Sequence, residues 1–329
     1  MRKDRPNIVV IGGGTGTSVV LSGLKKHNVN LTAIVSVADS GGSTGRLRDE
    51  FGFLPVGDLR QSLAALAREN DQSWIRKLLL YRFNQGDGLK GHNLGNLILT
   101  ALQDMTGSTP ESLEISEKIF NLEGKIIPIT NRVVDLVVEY EDGTIIIGEH
   151  HLNPEKAGGK KIKRIKLSPR AKIYPKAQKA ILNADLIIIG PGDLYASILS
   201  NLAVEGVKGV FKKTKAKIAF IVNLMTRYTQ THEYKSSDHV KELKKYMGKH
   251  PDYVIINTEK IPSRELDNYK SQNEYPVEVD VSSCSDFQVI KDDLTLVTKA
   301  KQRKSDEIKR SLLRHDEKRL TKILLKILK

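Results

Sequence analysis

Two glycine-rich turns, each placed directly after a short β-branched run, constrain this chain more than any other feature. Asn7–Ile11 reads as a buried strand and passes into Gly12-Gly13-Gly14-Thr15-Gly16-Thr17. A helical stretch to Lys26 follows, then a second strand, Leu31–Val37, which runs into Asp39-Ser40-Gly41-Gly42-Ser43-Thr44-Gly45. Strand, glycine turn, helix, strand opens a parallel sheet, because parallel strands need a crossover and a helix supplies it. Glycines after a first strand let backbone approach a phosphate, and the next helix N-terminus offers free N–H groups. A tight turn for strand–helix packing is the competing reading of the first turn taken alone. Its spacing is not that of a dinucleotide fingerprint, since Thr17 stands at the last glycine position. No Gly-Lys-Ser/Thr ending is present, so it is not a P-loop.

The second turn changes the balance. Dinucleotide enzymes end this strand with one acid for a ribose, whereas here Asp39 is followed by small hydroxyls, flexible backbone and Arg46. That combination suits a polyanion, with Arg46 as an ordinary surface arginine the alternative. Gly57-Asp58-Leu59-Arg60 puts an acid near an expected helix N-terminus. There Asp58 is either an N-cap or a residue that positions a ligand or divalent ion, while Arg60 meets a phosphate. Gly91-His92-Asn93-Leu94-Gly95-Asn96 precedes an apolar helix. His92 is a candidate base or a structural hydrogen-bonder, and Asn93 and Asn96 could read a base or sugar.

The later strand ends repeat the pattern. Ala184–Ile189 leads into Gly190-Pro191-Gly192-Asp193, Lys217–Val222 leads into Asn223-Leu224-Met225-Thr226, and Asn257 closes the strand Tyr253–Asn257. In open α/β sheets ligands sit outside the C-terminal strand ends, so these loops and the first two are expected to converge on a nucleotide or sugar-phosphate site. A weak carboxylate-bound Mg2+ through Asp39, Asp58 or Asp193 stays open, but no cofactor is required and no metal ligand is assigned.

The fold expected is therefore α/β, a Rossmann-like, mostly parallel sheet. Asp58–Asn70, Gln72–Phe83, Leu94–Met105 and Pro110–Phe120 read as helices, and so many in succession imply a helical cap. Val133–Tyr140 and Thr144–His150 flank Glu141-Asp142-Gly143, a hairpin signal. With the basic stretch after it, this predicts a small antiparallel β insertion at about 131–170. The chain is expected to be one domain over 1–329, closed by a docking helix at about 305–328. There Leu320, Ile323, Leu324, Ile327 and Leu328 share one helical face.

Composition excludes several classes. Hydrophobic residues are 39% and charged residues 28%, a globular mix rather than a disordered one. Cys284 is the only cysteine, which rules out an internal disulfide and a thiolate metal cluster. No apolar run approaches the roughly 20 residues needed to span a bilayer, and the N-terminal residues lack a signal-peptide core, so the expected location is the cytoplasm. The formal net charge is +14, yet it is concentrated: Lys156–Lys176 holds nine Lys/Arg and no acid, and Lys299–Lys329 holds twelve against four acids. Aromatics are only 5%, so these segments read as solvated surface and no nucleic-acid partner is expected. Metalloprotease, serine-hydrolase and thiol motifs are missing.

Taken together, these stretches resemble the bacterial gluconeogenesis-factor family, relatives of 2-phospho-L-lactate transferase. The resemblance rests on Val10–Gly16, Val37–Arg46, Pro55–Arg60, Gly91–Asn96, Gly190–Asp193, Asn223–Thr226, Ser237–His239 and Leu313–Asp316. It implies a Rossmann-like cytoplasmic protein that binds a UDP-sugar, notably UDP-N-acetylglucosamine. It also implies a link between carbon metabolism and cell shape or wall synthesis during growth on gluconeogenic carbon sources. A protein partner in wall synthesis and a homo-oligomer are expected. The related transferase moves a phospholactyl group with Mg2+ and a guanosine nucleotide donor. Asp39-Ser40-Gly41-Gly42 departs from that transferase, which carries a paired-acid turn there, and this favours binding over catalysis. Arg227-Tyr228-Thr229-Gln230-Thr231 departs from the Gln-Pro-Gly-Glu-Thr type of run expected in gluconeogenesis factors. On this reading the Gly12–Thr17 and Ser40–Gly45 backbones hold a diphosphate, helped by Arg46 or Arg60. Asn93, Asn96 and Asn223 read the sugar or base. Arg314 is a candidate diphosphate clamp, and Tyr269 a candidate stacking group for uracil.

Overall fold

The apolar runs become the strands of a seven-stranded parallel sheet in a computed structural model that describes residues 5–68, 73–297 and 313–328. In chain order the first half contains β1 (Asn7–Gly12), α1 (Gly14–Leu24), β2 (Asn30–Val35), α2 (Gly42–Phe51), α3 (Gly57–Leu66), α4 (Ser73–Leu79), α5 (Leu94–Thr106), α6 (Thr109–Ile119) and β3 (Lys125–Pro128). An antiparallel unit follows: β4 (Asp135–Tyr140), β5 (Ile145–Ile147), a 3-10 turn at Glu149–His151, α7 (Pro154–Ala157) and β6 (Ile162–Ser168). The α/β pattern then resumes with α8 (Pro175–Leu182), β7 (Leu186–Ile189), a π-helical turn at Leu194–Leu199, α9 (Ser200–Leu202), α10 (Val207–Lys213) and β8 (Lys217–Ile221). The chain continues through α11 (Ser236–Met247), β9 (Tyr253–Asn257), α12 (Ser263–Lys270), β10 (Gln288–Asp292), β11 (Thr295–Val297), β12 (Leu313–His315) and α13 (Glu317–Leu328).

The large sheet runs β10-β9-β8-β7-β1-β2-β3. Chain order reverses between β1 and β7, a topological switch point where a crevice forms at the strand ends. Alternation along each strand sends side chains to two apolar layers. Ile8 and Val10 join Ala33, Ile188 and Ile221 beneath α1, α3 and α13. Val9 and Ile11 join Ile34, Ile187, Phe220 and Val254 on the other face, where Leu136, Val138 and Ile165 of the antiparallel sheet are also buried. A Rossmann-like α/β fold with a small antiparallel sheet is thus present. α2 and α4 pack on α5, and α5 on α6, which builds the helical cap over the β2–β3 side.

Several local expectations are corrected. The helix expected over Asp58–Asn70 ends at Leu66, and the next begins at Ser73; Asn70 and Gln72 lie outside the described residues. The strand expected over Thr144–His150 stops at Ile147, because Gly148 takes φ +88° and turns the chain into the 3-10 turn. Only Ile162–Ser168 of the basic stretch is strand, and Pro175 opens α8. Leu313–His315 is strand, so the last helix begins at Glu317; residues 305–312 of the expected helix lie outside the described residues. Elements not expected from the sequence include β3, α2, α8, α10, α12 and β10 to β12. β3 is four residues long at the sheet edge, where Pro128 is tolerated.

Candidate phosphate-binding site

All strand pairs of the large sheet are parallel, so the loops after β1, β2, β7 and β8 leave at one rim. The Gly12–Thr17 turn lies in their midst. A Cβ on Gly16 would stand 2.3 Å from the Pro191 carbonyl oxygen, and one on Gly12 3.8 Å from the Gly190 Cα. The β1 and β7 loops therefore touch backbone to backbone, which only glycine permits.

On that side of the turn opens a cleft of about 650 Å3, solvent at its mouth included. Thr15 and Gly16 line it from the α1 N-terminus, Gly192 and Asp193 from the β7 loop, and Asn223 and Arg227 from the β8 loop. Tyr269, Glu274 and Arg314 complete it from segments far along the chain. The Asn223 Oδ1 is buried with no hydrogen-bond partner, an acceptor left for something the protein itself does not supply. Arg227 donates from Nε to Asp193 Oδ1 at 3.1 Å and from Nη1 to Glu274 Oε1 at 3.1 Å. Asp193 foremost, then Glu274, holds the Arg227 guanidinium firmly charged. The Tyr269 hydroxyl accepts the Leu313 N–H at 3.1 Å, and His315 Nε2 lies 3.2 Å from the Val222 oxygen. These two contacts tie the Leu313–His315 strand across the site. Burial lowers the His315 pKa to about 4, so its ring is neutral there.

On the other side of the turn lies a half-buried polar cluster. Asp58 Oδ1 accepts the Gly14 N–H at 2.8 Å. Asp58 is thus not the N-cap of its own helix; that position is Val56, which makes no side-chain cap bond, and Asp58 instead satisfies the neighbouring α1. Asp39 accepts the Gly41 N–H at 3.0 Å, and its carboxyl lies beside Thr44 and Glu149. Burial and the neighbouring Asp39 push the Asp58 carboxyl up to about 7. Burial also raises Asp39, with Arg60 opposing, and raises Glu149 well above the usual carboxylate range together with Asp39, Asp58 and Asp193.

Hydroxyl–imidazole pairs border the carboxyls: Ser40 Oγ lies 2.8 Å from His150 Nδ1, and Ser43 Oγ lies 3.2 Å from His92 Nδ1. Asn93 caps α5, its Oδ1 accepting from Gly95 and Asn96. Asn96 donates to Ser43 and Thr44, and Arg60 Nη1 donates to the Leu79 carbonyl.

The structure thus divides the residues singled out from sequence. Thr15, Gly16, Gly192, Asp193, Asn223, Tyr269 and Arg314 line the cleft. Asp39, Ser40, Ser43, Thr44, Asp58, Asn93 and Asn96 belong to the polar cluster. Gly13 lies between them, since a Cβ there would strike Asp58 Oδ2 on one side and approach Ser197 on the other. Thr226 is buried in a two-way bond with Tyr275, and Arg46 is exposed on α2. Glu149, His150, Arg227 and Glu274 were not singled out as site residues. Glu149 follows the antiparallel hairpin, and nothing local connects it to Asp39.

The donor set does not match the Mg2+ that the resemblance implies. Asp39 and Glu149 lie beside each other, and burial pushes both toward the protonated form, with Asp39 adding to the push on Glu149. Asp58 Oδ1 is engaged by Gly14, and Asp193 by Arg227. Among the described residues no group of three or more His, Cys, Asp or Glu is placed to hold a metal ion. No step through a metal follows from this arrangement. No helix among the described residues is long and apolar enough to cross a membrane.

Comparison with known proteins decides the family: the model described as 2-phospho-L-lactate transferase CofD matches residues 8–295. The chain belongs to the CofD family. It is 40% identical over 329 residues to the gluconeogenesis factor of Bacillus subtilis, covering 99% of each chain. It is also 40% identical over 299 residues to the gluconeogenesis factor of Halalkalibacterium halodurans, covering 88% of this chain and 91% of that one. A crystal structure of a Bacillus halodurans protein superposes with a TM-score of 0.88 at 37% identity, covering 98% of this chain and 100% of the other. The resemblance drawn from the glycine turns is that of a CofD-family member of the gluconeogenesis-factor kind.

Proposed function

We propose that the chain binds a nucleotide sugar of the UDP-N-acetylglucosamine type in the cleft and acts as a regulator. Its output would be normal cell shape and wall synthesis on gluconeogenic carbon, through a protein partner. One observation carries the reading. A buried acceptor without a partner, Asn223 Oδ1, stands in the same cleft as the open end of α1. A diphosphate would lie on the Thr15, Gly16 and Gly192 backbone with Arg314 supplying charge. Asn223 Oδ1 would accept the uracil imide N–H or a sugar hydroxyl, with the Tyr269 ring alongside. The Asp39–Thr44 turn is engaged in the polar cluster, so its share of diphosphate contact is small. Titration calorimetry with UDP-N-acetylglucosamine, with and without Mg2+, tests this. One saturable site per chain, unchanged by a chelator and with the ligand recovered intact, is the expected result.

A second reading is phospholactyl or phosphoryl transfer, for which the Asp39, Asp58 and Glu149 carboxyls with raised pKa values near the α1 N-terminus would be the candidate acid–base groups. Consumption of a nucleoside-diphosphate-activated phospholactate would establish that reading and overturn the regulator.

A further inference from the structure

The three-stranded sheet has two edges, and the fold treats them differently. Its order is β5-β4-β6. Along β6 the outward backbone groups are covered by α11: Ile165 N–H donates to Tyr246 Oη at 2.8 Å, and Lys245 Nζ donates to the Lys163 carbonyl at 2.9 Å. Among the described residues nothing comparable covers β5. Tyr140 N–H donates to the Thr144 carbonyl and Gly148 N–H to the Leu136 carbonyl, so 144, 146 and 148 face β4. The alternation of an antiparallel ladder then turns the N–H and C=O of Ile145 and Ile147 outward. Ile145 and Ile147 are 62% and 57% exposed, whereas Ile146 is buried at 6%.

Exposed edges are normally blunted by proline, lysine or a bulge. The Ile145–Ile147 strand has none of these, and the register shift of this sheet lies on the β4–β6 side at Glu139/Tyr140. The edges of the large sheet are guarded by contrast, with Lys125 and Pro128 in β3 and Lys291 and Asp292 in β10.

We propose that β5 is the docking edge for a second copy of this chain, paired antiparallel about a two-fold axis at Ile146, so that two three-stranded sheets join into one of six strands. This register sets Ile145 opposite Ile147 of the other copy, twice. Both are outward-bonding positions, and so each apposition is a closely hydrogen-bonded pair. The two pairs satisfy all four outward backbone groups. A two-fold contact must be self-complementary, and an uncharged Ile-Ile-Ile strand meeting its own copy is so. The ladder pairs Ile145 with Glu139 and Glu139 with Arg164; Ile147 follows with Val137 and Val137 with Lys166. The charges on this face therefore stand away from the joint. Glu139 is already paired with Lys163 and Arg164, so no like charges meet. A three-residue joint falls below the roughly 1,200 Å2 of a standard interface, which makes the dimer weak and concentration-dependent.

Sedimentation of the full chain over a wide concentration range tests the pairing. The wild type is expected to shift from monomer to dimer mass as concentration rises. Ile145→Lys with Ile147→Lys places like charges across both pairs and is expected to stay monomeric. Ile145→Lys with Ile147→Glu places opposite charges across both pairs in this register and is expected to restore the dimer. Circular dichroism confirms that both double variants fold, as substitution at exposed positions allows. A wild type that stays monomeric throughout overturns the proposal. So does a dimer that survives the double lysine variant, or a lysine–glutamate variant that fails to pair; either would point to another surface or to a different extended partner.

Discussion

The Asp58 carboxylate sits 2.8 Å from the Gly14 N–H, so an internal anion already occupies part of the helix end offered to a phosphate. Asp39 and Glu149 crowd the same region, and Arg60 provides the opposing charge. The folded carboxyls titrate above their ordinary values, Asp58 at about 7, because charging them in a buried place is costly. For Asp58, between about pH 4 and pH 7 the folded state keeps a proton that the unfolded chain releases, so its contribution makes stability decline as pH rises through that window. Asp58→Asn is expected to flatten the decline by on the order of 1 kcal/mol per pH unit. Urea unfolding of both proteins at several pH values between 4.5 and 8 measures it; parallel curves would remove Asp58 from the account.

Gly16→Ala tests the contact between the β1 and β7 loops. The added Cβ would stand 2.3 Å from the Pro191 carbonyl oxygen, a backbone atom that cannot swing aside. Expected are a stability loss of about 1–3 kcal/mol and loss of nucleotide-sugar binding of tenfold or more. Gly209→Ala in α10 is the control, since nothing lies within 4 Å of the new carbon. It should raise stability by about 0.5–1 kcal/mol and leave binding alone.

Arg314 and Tyr269 separate binding from scaffolding. Arg314→Ala removes a charged donor from the cleft wall and should weaken UDP-N-acetylglucosamine by about tenfold or more. Tyr269→Phe keeps the ring but removes the hydroxyl that accepts the Leu313 N–H. It should cost about 1 kcal/mol of stability. Calorimetry and thermal unfolding on both variants distinguish the two effects.

The apolar face of α13 is a packing element. Leu324 is fully buried beneath the sheet, among Leu21, Leu24 and Leu320. Leu324→Ala should lower stability by about 2–5 kcal/mol, read from the denaturation midpoint at constant slope.

Much of the fold could be read in advance. The β-branched runs at Asn7–Ile11 and Ala184–Ile189 announce buried parallel strands through composition alone, and Asp142-Gly143 announces the hairpin. The i, i+3, i+4 spacing of Leu320, Ile323 and Leu324 is equally local. β3 and β10 escaped because four or five residues at a sheet edge carry little periodicity. In the site, glycines are legible because a close backbone approach excludes every other residue. Carboxyl partnerships are not, because a charge acts on whatever lies near it in space.

The sequence by itself determined that glycine-bearing strand ends would gather at one rim of a parallel sheet, since strand direction and crossover handedness leave no other arrangement. Tertiary structure alone decided which side of the first turn became an open cleft and which a half-buried polar cluster. Glu149 reaches Asp39, and Arg227 joins Asp193 to Glu274, across distances in the chain that no local pattern records. Electrostatic and hydrogen-bond energies depend on separations in space, and those exist only once the layers have packed.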